Sequence, residues 1–340
     1  MAGRRVWIGM AVLLLTSSVP IRGAEDPILP DGEAFELLTM DVDFAEGPAA
    51  GPDGAIYFSD IPTGEKPGRI LRFEPAGNKI SIFRSDSHKS NGLFFDSLGR
   101  LVACEGADFG GRAIRRYNTL SPTAGEGEVI LADQFEGKKF NAPNDLCVDQ
   151  LGRVWFTDPK YLGAEERELT HRSVYRIDPD GSLKLAITQP VIEKPNGIHV
   201  SPDGKTLYVA DTSNEPVKLP DGTERPGNQQ LVAFSISADG TPAEKKVLVD
   251  YSPGSGVDGM TVDTQGNIYA AVRDKEKPGV RIYAPDGKQI GFIPTHDVPT
   301  NCVFGKGPEA NRLYITTDTG FGRIRLNATG YHLPDNPPKG

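Results

Sequence analysis

A sixfold internal repeat is the feature that most constrains how this chain can fold. Each copy opens with an acidic or amide residue, followed by a turn and then by an aromatic or aliphatic β-rich run. In the first five copies the turn glycine stands eight residues after the leading residue, and the sixth copy has two additional residues. Such a repeat indicates one supersecondary unit used six times. The leading residues are Glu46, Asn91, Asn144, Asn196, Asp258 and Asn301.

The spacing of the copies predicts a β-propeller. Successive leading residues stand about 40 to 60 positions apart, which accommodates the four short strands of one propeller blade. The fourth copy contains four β-rich runs, NGIHV, TLYVAD, LVAFSI and KKVLVD, separated by turn residues. Helical periodicity is absent from the repeats, and the charged stretch Ala164–Arg172 offers at most one short helix. We therefore predict an all-β, six-bladed propeller.

The two ends of the repeat region predict how the ring closes. After Asn301 only three β-rich runs remain before a proline-rich ending, so the last blade is one strand short. The run AFELLTMD at Ala34–Asp41 precedes the first complete copy and can supply that strand. Its pairing with the C-terminal three would cover an exposed sheet edge. We predict one propeller domain over residues 34–332 and a proline-rich tail over 333–340.

The N-terminus has the composition of an export signal. Arg4 and Arg5 precede the apolar run Val6–Leu15, and small residues follow near Gly23. This order is typical of a secretory signal peptide, and the apolar run is too short to span a bilayer. We predict a signal peptide over residues 1–24 and an exported protein, periplasmic or extracellular, without stable membrane association.

Charge and cysteine content exclude several classes of function. The formal net charge of −9 argues against a nucleic-acid partner, which requires a basic surface. Three cysteines in β-patterned runs, Cys104, Cys147 and Cys302, are typical of buried small side chains rather than of a disulfide framework. His199 alternates away from Asn196 and is expected to be packed. We expect a monomer or a weak oligomer.

The leading residues carry the predicted chemistry. The first strand of each propeller blade lines the central channel, so the six side chains should encircle the axis near one mouth. Turn formation explains a lone Asn before Gly, but it does not explain Glu46 within this set. Glu46 and Asp258 would repel each other unless a proton or cation intervened. With Asn144 and Asn196 they form an all-oxygen set that favours Ca²⁺ over Zn²⁺; a structural ion plugging the channel is the alternative.

Several reaction routes are compatible with this set. A cation open to substrate can polarise a carbonyl or phosphoryl oxygen. Asp258 or Glu46 could then activate water as a general base, or a carboxylate could attack directly. The residue pattern alone does not choose between these routes.

Four segments carry a family resemblance: AEGPAAGPDGAIYFSDI, KKFNAPNDLCVDQLGRVWFTDPKY, KPNGIHVSPDGKTLYVAD and VDGMTVDTQGNIYAA. They resemble the SMP-30/gluconolactonase/luciferin-regenerating-enzyme family, and most of all its bacterial gluconolactonases, over essentially the whole mature chain. The resemblance implies a six-bladed propeller with a divalent cation, commonly Ca²⁺, on its axis. It implies that Glu46, Asn144, Asn196 and Asp258 hold this ion and that Asp258 is the candidate base or nucleophile.

The resemblance also implies substrate contacts. Animal members carry Arg two residues before the third-blade Asn, where this chain has Ala142. Asn141 is therefore expected to contact substrate here, together with Asn144. Asn91 and Asn301 complete the ring and are expected to touch substrate or a bound water.

The expected function is Ca²⁺-dependent hydrolysis of a gluconolactone-type sugar lactone to the aldonic acid, with the small molecule as partner. One alternative is an organophosphate hydrolase of the diisopropyl-fluorophosphatase type, which resembles this chain in its four ligands. The other is a non-catalytic binding propeller of the NHL kind. A plain scaffold needs neither Glu46 nor Asp258, so the acid pair favours an enzyme.

Overall fold

The computed structural model describes residues 28–121, 126–219 and 221–333. The predicted signal peptide and residues 334–340 of the predicted tail lie outside these ranges. Within them the chain forms strands, turns and one 3-10 turn at Gly307–Glu309. The stretch Ala164–Arg172 is not helical. In this part of the chain no helix has the length and apolar character needed to cross a bilayer.

The described residues form 28 strands, numbered along the chain. The first half comprises β1 (Glu36–Thr39), β2 (Ala45–Ala50), β3 (Ile56–Asp60), β4 (Arg69–Glu74), β5 (Lys79–Arg84), β6 (Ser90–Phe95), β7 (Leu101–Glu105), β8 (Ala113–Tyr117), β9 (Glu128–Ala132), β10 (Gln134–Phe135), β11 (Lys138–Lys139), β12 (Leu146–Val148), β13 (Val154–Asp158) and β14 (Ser173–Ile177). The second half comprises β15 (Leu183–Thr188), β16 (Pro195–Val200), β17 (Thr206–Thr212), β18 (Val217–Lys218), β19 (Glu224–Arg225), β20 (Gln229–Ile236), β21 (Pro242–Asp250), β22 (Val257–Val262), β23 (Ile268–Val272), β24 (Gly279–Tyr283), β25 (Gln289–Pro294), β26 (Pro299–Phe304), β27 (Arg312–Thr317) and β28 (Gly320–Arg325).

Six antiparallel sheets of four strands confirm the predicted propeller. From the innermost strand outward the blades are β2-β3-β4-β5, β6-β7-β8-β9, β12-β13-β14-β15, β16-β17-β20-β21, β22-β23-β24-β25 and β26-β27-β28-β1. The innermost strands of neighbouring blades contact one another around the whole ring. Two small hairpins, β10-β11 and β18-β19, lie outside the sheets.

The N-terminal strand closes the ring as the strand count predicts. β1 pairs antiparallel with β28, with Glu36 opposite Arg323. An Arg323–Glu36 ion pair with Nε 2.8 Å from Oε2 accompanies this pairing. The last blade is therefore built from both ends of the repeat region.

Apolar side chains between the blades supply the core. Tyr57 and Phe95 meet edge to face across blades 1 and 2, with ring centroids 5.2 Å apart. Trp155 of blade 3 is buried in one cluster with Ile198 and Val209 of blade 4. The second strand of a blade is covered on both faces, which explains its run of apolar residues. The three cysteines are buried and unbridged, as predicted.

Residues 326–333, which we call the C-terminal strap, cross one end of the channel. Gly330 bridges to Asp263, and the backbone N–H of Tyr331 donates to Val262 O at 3.1 Å. Gln150 donates through Nε2 to the Tyr331 hydroxyl at 2.8 Å. These contacts lie where the innermost strands end, opposite the leading residues. The strap therefore covers the floor of the channel.

Candidate active site

The leading residues lie side by side at the start of the innermost strands. In four blades a glycine follows the leading residue and approaches the next blade closely. A Cβ at Gly197 would lie 2.3 Å from Asp258 O, and a Cβ at Gly259 would lie 2.0 Å from Asn301 Cγ. Only glycine fits at these contacts. The contacts bring neighbouring leading residues together around the mouth of the channel.

Glu46 and Asp258 are two buried carboxyl groups in each other's electric field. Their exposed fractions are 3% and 9%. Burial and then the charge of Asp258 raise the pKa of Glu46 well above its ordinary value. Burial also raises the pKa of Asp258. Glu46 Oε2 accepts a hydrogen bond from the adjacent Gly47 N–H at 2.8 Å. A bound proton or cation would relieve this repulsion.

The amide side chains beside these acids fit a cation. Asn196 makes a side-chain hydrogen bond to Asp258, while its buried Oδ1 has no hydrogen-bond partner. Asn144 is fixed by its backbone, since its N–H donates to Thr157 O at 2.9 Å and its carbonyl accepts from Gly92 N at 2.8 Å. A buried amide oxygen without a donor is costly, and a hard cation would use it.

The number of metal-binding side chains that lie close together limits how such a cation could be held. Within the described ranges no group of three or more His, Cys, Asp and Glu side chains is arranged to hold a metal ion. A cation at the mouth would therefore depend on Glu46 and Asp258 together with amide oxygens. The donor set expected from the repeat stays a prediction.

Asp145 is a third buried carboxyl group that the sequence analysis missed. It stands where four other blades have glycine after the leading residue. Its Oδ1 accepts from Leu146 N at 2.9 Å, its Oδ2 accepts from Ile198 N of the next blade at 3.2 Å, and the Asn301 side chain bonds to it. Burial raises the pKa of Asp145 to about 7. The break in the glycine pattern was the signal that could have revealed it.

Arg273 is a second residue that the repeat does not predict. It follows β23, and its Nε lies 3.5 Å from Asp258 Oδ2. Its Nη1 lies 2.5 Å from Asp318 Oδ1 of the sixth blade. Burial raises the pKa of Asp258, and the positive charge of Arg273 opposes that rise. Arg273 has no counterpart in the other copies, so no repeat signal could have found it.

The remaining predicted substrate contacts differ in accessibility. Asn141 is fully buried, and its Nδ2 donates to Asp158 O at 3.1 Å and to His171 O at 3.0 Å. Its Oδ1 has no partner and is the one side-chain atom left to meet a ligand. Asn91 is half-buried beside the mouth. Asn301 Oδ1 accepts from Cys302 N at 2.8 Å.

Two polar residues near the channel are structural. Glu105 is fully buried and paired with Arg115. His199 is buried, and its Nδ1 lies 2.8 Å from Val200 O. Burial lowers the pKa of His199 to about 4. His199 is thus the packed, neutral histidine that the strand alternation predicts.

Comparisons with known proteins match most of the chain to the family that its sequence resembles. The family model described as "SMP-30/Gluconolactonase/LRE-like region" matches residues 44–319. A gluconolactonase of Zymomonas mobilis is 29% identical over 330 residues, covering 90% of this chain and 85% of the relative. The solved structure of a gluconolactonase from Xanthomonas campestris superposes with a TM-score of 0.70 at 29% identity, covering 88% of this chain and 91% of that one. Diisopropyl-fluorophosphatase of Loligo vulgaris is 27% identical, covering 83% of this chain and 88% of the relative.

Proposed function

The chain belongs to the SMP-30/gluconolactonase/LRE-like family, and from that premise we propose that it hydrolyses a sugar lactone to the aldonic acid with the help of a divalent cation. The gluconolactonases of Zymomonas mobilis and Xanthomonas campestris, which match most of the chain, support a lactone substrate. The observation that carries the proposal is the pair of buried carboxyl groups, Glu46 and Asp258, beside the unpartnered Oδ1 of Asn196.

The cation would be held by Glu46, Asn144, Asn196 and Asp258. Oxygen donors without His or Cys favour Ca²⁺, which accepts irregular sets of carboxylate and carbonyl ligands. When bound, such an ion supplies positive charge that polarises the lactone carbonyl. The four protein ligands also leave room for substrate oxygen.

Asp258 is the group that we assign as general base. Arg273 lies beside its Oδ2 and favours the ionised carboxylate. Asp258 takes a proton from water while the water oxygen bonds to the lactone carbonyl carbon. The ring ester C–O bond then breaks, Asp258 returns the proton to the departing ring oxygen, and the new carboxylic acid loses its own proton to solvent. Direct attack by Asp258 is the competing route.

Polar groups around the mouth would orient the sugar. Asn91 is half-buried there, and Asn141 offers one unpartnered buried oxygen, Oδ1. Hydroxyl groups of a sugar lactone can donate to such an oxygen. Asn144 and Asn301 complete the proposed contact set.

Phosphotriester hydrolysis is the second candidate function. The diisopropyl-fluorophosphatase of Loligo vulgaris matches most of this chain, and a phosphoryl oxygen could occupy the place of the lactone carbonyl. In that case Asp258 would take a proton from water while the water oxygen bonds to phosphorus, and the P–F or P–O bond would break to release fluoride or an alcohol.

One screen tests these proposals. Purified protein would be stripped with a chelator, reloaded with Ca²⁺, Mg²⁺, Mn²⁺ or Zn²⁺, and assayed on five- and six-membered sugar lactones, on a phosphate triester and on a dialkyl fluorophosphate. We expect lactone turnover that disappears on chelation and returns selectively with Ca²⁺. Turnover of the phosphorus esters alone would replace the lactone assignment, and full activity in chelator would remove the cation.

Export is part of the same proposal. The N-terminal sequence supports cleavage close to residue 24, and the mature chain would act outside the cytoplasm as a monomer or weak oligomer. The mass of the protein recovered from the producing cell tests this, because an uncleaved N-terminus would contradict it.

A further inference from the structure

Three blades share a buried aspartate at the end of the second strand or one residue before it. These aspartates are Asp60 in β3, Asp158 in β13 and Asp211 in β17. Each is fully buried, with an exposed fraction of 0%. Buried carboxylates are costly unless they are well bonded, so their partners are informative.

Each of these carboxylates accepts hydrogen bonds from two successive backbone N–H groups. The donors always lie three and two positions before the leading residue of the same blade. They are Asp43 N at 2.7 Å and Phe44 N at 3.2 Å from Asp60, Asn141 N at 2.9 Å and Ala142 N at 2.7 Å from Asp158, and Glu193 N and Lys194 N, both at 2.9 Å, from Asp211. We call this arrangement the aspartate clamp.

The aspartate clamp occurs in blades that supply a proposed cation ligand and not in every copy of the repeat. The clamped blades are those that present Glu46, Asn144 and Asn196. In blades 2 and 6, whose leading residues are proposed only as substrate contacts, the equivalent positions hold Glu105 and Thr317. Glu105 pairs with Arg115 instead.

Blade 5 holds its leading residue by other means. Val272 occupies the clamp position opposite Val257. Gln229 Oε1 accepts from Gly256 N, two residues before Asp258, at 2.7 Å. Arg273 contacts the Asp258 carboxylate directly. Every blade that supplies a proposed ligand therefore has a polar side chain from another strand that fixes the segment leading into it. In blades 2 and 6 the corresponding bonds are local, from Ser90 N to Ser87 Oγ at 3.2 Å and from Val298 N to Asp297 Oδ1 at 2.7 Å.

We propose that Asp60, Asp158 and Asp211 are positioning residues that set the direction of the Glu46, Asn144 and Asn196 side chains for the cation. Hydrogen bonds to a charged acceptor are stronger than neutral ones, and two on successive residues fix the chain just before the ligand. Groups that orient metal ligands commonly change affinity when altered. This inference rests on the proposed function, because it concerns the same cation.

Asp158→Asn is the sharpest variant. Asp158 uses both oxygens, one for each backbone N–H, so an amide would turn an NH2 group toward one donor. We expect the Ca²⁺ dissociation constant, measured by isothermal titration calorimetry, to rise about tenfold or more.

Asp149→Asn is the matched control. Asp149 lies in the same blade at the floor end, is also buried, and accepts from Leu151 N at 2.9 Å and Arg153 N at 3.0 Å. This variant should lower the melting temperature while the Ca²⁺ affinity of the folded protein stays at the wild-type value. Equal weakening of Ca²⁺ binding in both variants would mean general loosening and would overturn the proposal.

Asp211 supplies a second test, which remains valid if Asp158→Asn does not fold. It compares a conservative variant, Asp211→Asn, with Asp211→Ala. A single oxygen, Oδ1, accepts both backbone donors here. Oδ2 accepts from Asn228 Nδ2 at 2.9 Å, so Asp211→Asn keeps the Oδ1 acceptor when the Asn228 amide turns to accept from the new NH2 group. It should retain Ca²⁺ affinity better than Asp211→Ala, which should lose about tenfold. Wild-type affinity in Asp211→Ala would refute positioning, whereas a wild-type protein that binds no Ca²⁺ would overturn the cation proposal and this one with it.

Discussion

Buried acidic residues lie at both ends of the central channel, but their hydrogen-bond surroundings differ. At the floor, Asp263 accepts through Oδ1 from Gln265 N at 2.9 Å and Asn267 N at 2.8 Å, both in its own turn. Asp149 does the same in blade 3 and also accepts from Trp155 Nε1 at 2.9 Å. At the mouth, Glu46 accepts one hydrogen bond, from the N–H of the adjacent Gly47, and burial raises its pKa.

This contrast separates structural acids from functional ones. A floor carboxylate finds its donors within the next few residues, so its charge is compensated wherever the turn forms. The mouth carboxyl groups come from different blades and raise one another's pKa, and Arg273 beside Asp258 offsets only part of that effect. Buried acids that lack donors are candidates for binding and catalysis. The following changes test whether the division holds.

Asp258→Asn should have the largest effect. Loss of the proposed general base should lower kcat/KM for the lactone about 10²- to 10⁴-fold. The propeller should remain folded, because the substitution removes a buried charge that repels Glu46. Steady-state kinetics and circular-dichroism melting measure both, and near wild-type turnover would remove Asp258 from the mechanism.

The stability of the cation-free protein should depend on pH, because buried carboxyl groups at the mouth have raised pKa values. Glu46 and Asp145 have raised pKa values in the folded state, so between their unfolded pKa values and about 7 the folded state holds more protons. Stability without cation should therefore fall as pH rises through that window.

Added Ca²⁺ displaces those protons. The melting-temperature rise that Ca²⁺ produces should therefore be larger near pH 8 than near pH 5. A Ca²⁺ effect independent of pH would show that the ion binds away from these carboxyl groups.

Asp149→Asn should destabilise without affecting catalysis. It weakens hydrogen bonds to a buried carboxylate, each worth about 1.5–3 kcal/mol. We expect the free energy of unfolding to fall by about that much, and kcat/KM of the folded protein to stay unchanged. A specific loss of kcat would show that floor and mouth are coupled.

Tyr331→Phe should have the smallest effect. It removes the hydrogen bond from Gln150 to the C-terminal strap, worth about 0.5–1.5 kcal/mol. Chemical denaturation measures the change, and lactone turnover should match the wild type. A larger loss of unfolding free energy than in Asp149→Asn would show that the C-terminal strap stabilises the floor more than the turn residues Asp149 and Asp263 do.

The periodic parts of the molecule were predictable from the sequence, whereas the non-periodic parts were not. Six leading residues defined the blades, and a missing strand predicted the closure by β1. Arg273 could not be inferred in this way, because it has no counterpart in the other copies, and Asp145 was marked only by a break in the glycine pattern. The substrate contact of Asn141 stays a prediction that rests on its unpartnered Oδ1. The bonds from its Nδ2 to two backbone carbonyls depend on loop paths that alternation does not describe.

The pairing of β1 with β28 also governs when the fold can be completed. The Arg323–Glu36 contact joins residues 287 positions apart, whereas the strands of the other five blades follow one another along the chain, with the β18-β19 hairpin inserted within blade 4. Contacts this distant form late, since a long loop must close first. Until β28 has been synthesised, β1 remains an unpaired strand beside an otherwise assembled ring. A chain interrupted before that point exposes free sheet edges through which two copies can pair.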